Sequence, residues 1–172
     1  IVRGTTLKRS ILQILGRSKP TKLLIASTAP QIRYPDCYGI DMSELGKFIA
    51  FQAAVSLIQE HGYKGLLKEV AEQCREALNS KTSKPQNHVK RVYENFTVDQ
   101  ISEKVAELVA PEALKNVTKV EIIYQSVENL HEALPDHPGD WYFTGDYPTP
   151  GGYRVAHKAF LNFYENKDGR SY

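Results

Sequence analysis

Leu7, Ile11, Ile14 and Leu15 recur at steps of four, three and one, which predicts a helix carrying all four on one stripe. Gly16 is placed to close that helix in the left-handed conformation, with Pro20 shortly after. Leu23, Leu24, Ile25 and Ala26 form a continuous apolar run that reads as a short strand buried on both faces. Helix, short loop and buried strand are the repeating unit of a parallel sheet, so the opening of the chain points to an α/β fold. From Ser27 to Asp41, STAPQIRYPDCYGID holds two prolines and a glycine among polar residues. A long surface loop therefore follows the carboxyl end of the strand, where α/β sheets build their sites.

Ser43 is a candidate N-cap for a helix carrying Leu45, Phe48, Ile49, Val55 and Ile58, stopped by His61 and Gly62. The next helix, Gly65 to Leu78, has a cleaner stripe of Leu66, Leu67, Val70, Ala71, Cys74 and Leu78, so Cys74 reads as core. NSKTSKPQNHVKR, Asn79 to Arg91, reads as a polar linker that includes His88. TVDQ, Thr97 to Gln100, fits a capping box for a helix burying Ile101, Val105, Leu108 and Val109. Lys119 to Tyr124 reads as a second strand, and Ser126 as the cap of a short helix through Val127, Leu130 and Leu134. Pro135 to Gly152 holds four prolines, four glycines and Trp141, so it is expected to be a structured loop. Tyr153, Ala156, Phe160 and Phe163 then outline a terminal amphipathic helix. The expected division is a core over residues 1–78 and a helical and loop extension over 79–172, packed on the same domain.

Composition narrows the function classes. With 172 residues, 41% hydrophobic and 24% charged, the chain is ordinary globular material of single-domain size. A formal charge of +2 is too small for sequence-independent phosphate binding, and the basic residues Lys81, Lys84, Lys90 and Arg91 lack interleaved aromatics. No nucleic-acid partner is expected. The longest nearly apolar run, around Lys22 to Ala29, is far below the ~20 residues of a membrane-spanning helix. Cys37 and Cys74 stand apart without a C-x-x-C pair, which reads as reduced thiols and a cytoplasmic location. The chain opens on Ile1 without a signal-peptide pattern, and is expected to be a piece of something longer.

IVRGTT is the most informative stretch. Glycine lets a backbone approach an anion closely, threonine hydroxyls add donors, and a helix starting there directs its N–H groups and positive dipole end to the same place. Ordinary helix capping is the competing explanation for the same residues. IVRGTT followed by APQIRYPDCYGIDM resembles amidophosphoribosyltransferases, and FTGDYPTP, Phe143 to Pro150, resembles the Phe-Thr-Gly-x-Tyr-Pro-Thr ending of that family. The first motif is a variant of the phosphoribosyl pyrophosphate loop of type I phosphoribosyltransferases. The similarity is strong from Ile1 to about His61 and weakens through the middle of the chain.

The resemblance implies part of a phosphoribosyltransferase sheet flanked by helices. It also implies an enzyme of purine synthesis that uses glutamine-derived ammonia to displace pyrophosphate from phosphoribosyl pyrophosphate, giving 5-phosphoribosylamine. Arg3, Gly4, Thr5 and Thr6 would hold the 5-phosphate. Tyr38 and Asp41 would face the glutaminase domain, although an aspartate capping a helix explains Asp41 equally well. Mg2+ would sit on the pyrophosphate, with the family's acidic pair falling just ahead of Ile1, outside this sequence. The glutaminase nucleophile is an N-terminal cysteine, a role neither Cys37 nor Cys74 can take. The piece alone is therefore expected to be inactive and, with apolar surface uncovered, to form homo-oligomers. The alternatives are a salvage phosphoribosyltransferase, which leaves YGIDM and FTGDYPTP unexplained, and a non-catalytic phosphate-binding regulatory or assembly module.

Some family members carry an iron–sulfur cluster whose cysteines include a C-x-x-C just before Phe-Thr-Gly. Here those positions are Gly139 and Tyr142, and another ligand position is taken by Asp36, with Cys37 one residue on. No cluster is expected, and Cys37 reads as an ordinary loop thiol. His131 and His137, near Asp136 and Asp140, lack compact metal-ligand spacing. Trp141, Tyr142, Phe143 and Tyr147 are expected to pack an irregular loop rather than to stack a base.

Overall fold

The computed structural model describes residues 1–37, 42–80, 85–136 and 139–167. Helical backbone starts at Thr5, passes through a π-helical turn at Leu7–Ile11 and continues as α1, Leu12–Gly16. The wider turn changes which side chains share a face. Leu7 and Leu12 are buried, whereas Ile11, Ile14 and Leu15 are exposed, so the four-residue stripe read from a uniform 3.6 period is corrected. Gly16 is not left-handed either. A Cβ there would lie 2.5 Å from Leu114 Cδ2, so its role is close packing; Lys19 takes the positive φ of 48° and donates its N–H to the Gly16 carbonyl at 2.9 Å.

β1, Lys22–Ser27, pairs in parallel with β2, Lys119–Tyr124, in a register running from Lys22 opposite Lys119 to Ser27 opposite Tyr124. This is the α/β architecture expected, with a two-stranded parallel sheet. Only one sheet face meets the body: Leu23 and Ile25 are half-buried, while Leu24 is 54% exposed. The reading of β1 as covered on both faces is thus corrected, because alternate side chains of a strand point to opposite faces and only one is packed here.

A 3-10 turn, Leu45–Lys47, precedes α2, Ile49–Glu60. Ser43 is buried but caps neither element; Phe48 is extended and precedes α2, whose first N–H donates to the Val2 carbonyl at 2.8 Å. A tertiary partner has replaced the local cap. α3, Leu66–Asn79, buries Val70, Ala71 and Cys74, and burial pushes the Cys74 thiol up to about 12. The polar stretch beyond it is no linker at its far end. His88–Val92 forms a 3-10 helix capped by Asn87, and Val89 and Val92 are fully buried. Two apolar residues three apart suffice to anchor one turn, a signal too short for a periodicity to show.

The Thr97–Gln100 capping box is present, with the Gln100 N–H on Thr97 Oγ1 at 3.1 Å and the Thr97 N–H on Gln100 Oε1 at 2.8 Å. It opens α4, Val98–Val109. Ser126 caps α5, Val127–Ala133, as expected, and α6, Trp141–Thr144, and α7, Pro150–Tyr164, complete the chain. α2 packs on α4, and α3 on α7. At the centre, Phe51 meets Phe160, Phe163 and Tyr93 edge to face, at centroid distances of 6.1, 4.8 and 6.5 Å. Among the described residues, no helix is long and apolar enough to cross a membrane.

On α7, His157 is 2% exposed, and its Nε2 accepts the His88 N–H at 3.3 Å beneath the stacked His88 ring. Burial and the neighbouring His88 lower its pKa from 6.5 to about 4. Between those values the unfolded chain holds a proton that the native one rejects, so stability is complete above pH 6.5 and falls as pH drops to about 4. The expected loss is about 3 kcal/mol. Urea unfolding at pH 7 and pH 4.5 should show it in the wild type and much less of it in His157→Gln; equal losses in both would assign the acid sensitivity elsewhere.

Candidate functional site

Gly4 has φ +68° and is the residue from which the first helix springs, its carbonyl accepting the Lys8 N–H at 2.9 Å. A Cβ at this position would lie 2.8 Å from Val109 Cγ1 and 3.3 Å from Ile49 Cγ1. The backbone is therefore pressed between the start of α2 and the end of α4, in a conformation that L side chains rarely adopt. Thr5 and Thr6 follow on the exposed first turn. Their N–H groups belong to the set that an α-helix leaves without intrahelical partners, and the hydroxyls lie beside them.

A cleft of about 570 Å3 opens here, lined by Arg3, Gly4, Thr5, Lys8, Arg9 and Lys47, with Ile49, Leu108 and Val109 among its apolar residues. Arg3 and Lys47 both reach Glu44: Arg3 Nη2 to Oε2 at 2.7 Å, and Lys47 Nζ to Oε1 at 2.7 Å. Lys47 and Arg3 together hold the Glu44 carboxyl below its usual range. Lys8 Nζ donates to the Leu108 carbonyl at 2.8 Å, tying the first turn to α4. Four cations thus line a cleft whose own acidic residue is Glu112, an arrangement that suits an anion.

Of the residues expected to hold a phosphate, the fold brings Arg3, Gly4 and Thr5 to this cleft, while Thr6 sits on the adjoining exposed turn. Lys47 and Glu44 carried no sequence signal, since Glu44 lies 41 positions from Arg3 and only folding joins them. Lys8 and Arg9 could have been read from the sequence as the basic residues of the first turn after Gly-Thr-Thr.

Tyr38 and Asp41 lie outside the described residues; the segments on either side of them are joined. The Asp36 N–H donates to the Met42 carbonyl at 2.7 Å, closing the loop. The loop is also pinned to the second motif, because the N–H groups of Arg33 and Tyr34 both donate to the Tyr142 carbonyl, at 2.9 and 3.0 Å. Trp141 Nε1 donates to Asp36 Oδ2 at 2.8 Å, and the Tyr147 hydroxyl donates to the Pro35 carbonyl. Gly145, with φ +73°, lies where a Cβ would come 2.6 Å from Asn87 Nδ2, and its carbonyl accepts from that amide at 3.0 Å. The RYPDC and WYFTGDY stretches, more than a hundred residues apart, are packed and hydrogen-bonded together. Trp141 stacks on Tyr142 within it, as expected of loop packing.

The other singled-out residues separate from this site. His131 pairs with Asp140 at 2.9 Å, and His137 lies outside the described residues. Lys90 pairs with Asp146 at 2.6 Å and Arg91 with Glu69 at 2.9 Å, while Lys81 and Lys84 lie outside the described residues.

Comparison with known proteins finds amidophosphoribosyltransferases over part of the chain. An amidophosphoribosyltransferase of Haemophilus influenzae is 43% identical over 60 residues, 35% of this chain and 12% of that protein. The Escherichia coli enzyme is 40% identical over 60 residues, and that of Saccharomyces cerevisiae 47% over 51 residues. This chain resembles amidophosphoribosyltransferases. The similarity spans only 10–12% of the length of these relatives. The α/β architecture with a parallel strand pair fits part of such an enzyme. No family model and no solved structure matches the chain.

Proposed function

We propose that this chain supplies the phosphate-binding part of an amidophosphoribosyltransferase, which uses glutamine-derived ammonia to convert phosphoribosyl pyrophosphate into 5-phosphoribosylamine and pyrophosphate. The observation that carries the reading is Gly4: a left-handed glycine at a helix start, in a cation-lined cleft, within the motif that suggested the family. Gly4, Thr5 and Thr6 would take the 5-phosphate on backbone N–H groups and hydroxyls, and Arg3 would add charge at the rim. Such a site works by positioning and charge stabilisation.

Mg2+ would neutralise the departing pyrophosphate from ligands outside this sequence, so the chain by itself would bind without turning over. Tyr38 and Asp41, on the loop closed by Asp36 and Met42, would face the glutaminase domain. The exposed Ile14, Leu24 and Ile123 offer apolar surface for association with that domain and with further copies. Two free cysteines accord with a cytoplasmic setting.

The test is pyrophosphate release from phosphoribosyl pyrophosphate by the enzyme that contains this chain, with Mg2+ and with glutamine or ammonia as nitrogen source. Both sources should support release. Thr5→Val should raise KM for phosphoribosyl pyrophosphate by about tenfold, since a hydrogen bond to a charged oxygen contributes ~1.5–3 kcal/mol. Folded protein that releases pyrophosphate with neither source would point to a salvage enzyme or a non-catalytic module.

A further inference from the structure

The resemblance implies an iron–sulfur cluster in some relatives, with ligands at the positions of Asp36, Gly139 and Tyr142. The donor chemistry here does not fit one. Cluster irons are held by thiolates. Gly139 offers no side chain, Tyr142 offers a phenol, and Asp36 is a buried carboxylate already engaged. Trp141 Nε1 reaches its Oδ2 at 2.8 Å and the Cys37 N–H its Oδ1 at 2.6 Å, and Tyr142 adds a side-chain hydrogen bond. Burial alone would push the Asp36 carboxyl up, but the hydrogen bonds from Trp141, Tyr142 and Cys37 outweigh it and hold it below its usual range. The Cys37 thiol also hydrogen-bonds Asp36.

We infer that Asp36, Trp141 and Tyr142 form a hydrogen-bonded staple that joins the loop after β1 to α6 without iron, at the place where a metal cluster makes that connection in other members. The geometry is that of a cross-link. One carboxylate on the loop gathers donors from two consecutive residues of α6, and the backbone beside it repeats the connection through Arg33, Tyr34 and the Tyr142 carbonyl. Burial makes each of these bonds costly to break, since a stranded carboxylate has no water to turn to. The staple also holds the base of the loop, because the Asp36 N–H closes onto Met42.

The experiment uses the 172-residue chain, expressed with added iron and purified without oxygen. Iron and acid-labile sulfide should be at background, and a chelator should leave the melting temperature unchanged. Asp36→Asn, which replaces one acceptor oxygen by a donor, should lower Tm by about 4–8 °C, and Trp141→Phe by about 2–4 °C. The double variant should lose clearly less than the sum, because both changes weaken the same contact between Asp36 and Trp141. Should Asp36→Asn fail to fold, Trp141→Phe and Tyr142→Phe keep the measurement available. Iron and sulfide near about four per chain, melting that shifts with chelator, or strictly additive losses would overturn the staple.

Discussion

Replacing Gly4 by valine is expected to abolish measurable pyrophosphate release, with kcat/KM falling at least about 100-fold, while the protein remains folded. Two independent effects combine at this residue. Its φ of +68° is strained for any L side chain and worse for a β-branched one, and the new Cβ would meet Val109 Cγ1 at 2.8 Å. The backbone must therefore shift. Because the following N–H groups are the ones proposed to receive the phosphate, a displacement of an ångström spoils the whole set at once. Steady-state pyrophosphate release and circular dichroism on the same preparation would check this. A folded variant within about threefold of wild type would show that these N–H groups are not the phosphate site, a smaller effect than the misplacement argument allows.

Phe51→Ala is expected to lower stability by about 3–5 kcal/mol. Phe51 is fully buried and lies edge-on to Phe160, Phe163 and Tyr93, so its removal leaves a cavity where α2 meets α7 and the His88–Val92 turn. At this size the fall in Tm should be about 8–15 °C, with Phe51→Leu recovering more than half of it. Thermal and urea unfolding would measure both. A loss below about 1 kcal/mol would mean that the aromatic cluster repacks freely, against the close packing of protein interiors.

Legibility in the sequence followed the range of the interaction that each feature depends on. The Thr97–Gln100 capping box, the Ser126 cap, the helix from Leu66 to Asn79 and the two strands were all readable, since each is settled by residues within a few positions of one another. The errors have a common source. Ser43 lost its expected role because Val2 satisfies the start of α2, and the Leu7–Leu15 stripe failed because a π turn, invisible to a 3.6-residue period, rotates the later residues outward. His88 to Arg91 looked like the end of a solvated linker because Lys90 and Arg91 continue a polar run, whereas Val89 and Val92 hold the turn in the core.

The candidate site divides the same way. Gly4, Thr5 and Thr6 form a local device, and a glycine followed by hydroxyl residues at a helix start announces it without any knowledge of the rest. Lys47, by contrast, came to the cleft, and Glu44 to its pairing with Arg3 and Lys47, only when the fold brought the segment before α2 beside the opening one. Nor could periodicity have shown that Asp36 faces Trp141 across 105 positions, or that Gly145 must be small to pass Asn87 and Tyr34.

What the sequence determined by itself was the α/β class, the two strands, the caps at Thr97 and Ser126 with the helices they open, and the motif that resembles an amidophosphoribosyltransferase. Tertiary structure decided which face of each element is covered, which distant charges share a cleft, and which residues tie the two terminal motifs together. The reason is physical: hydrogen-bond geometry and side-chain sterics act between near neighbours and leave a periodic trace. Burial and ion pairing act between residues that only the completed fold brings into contact.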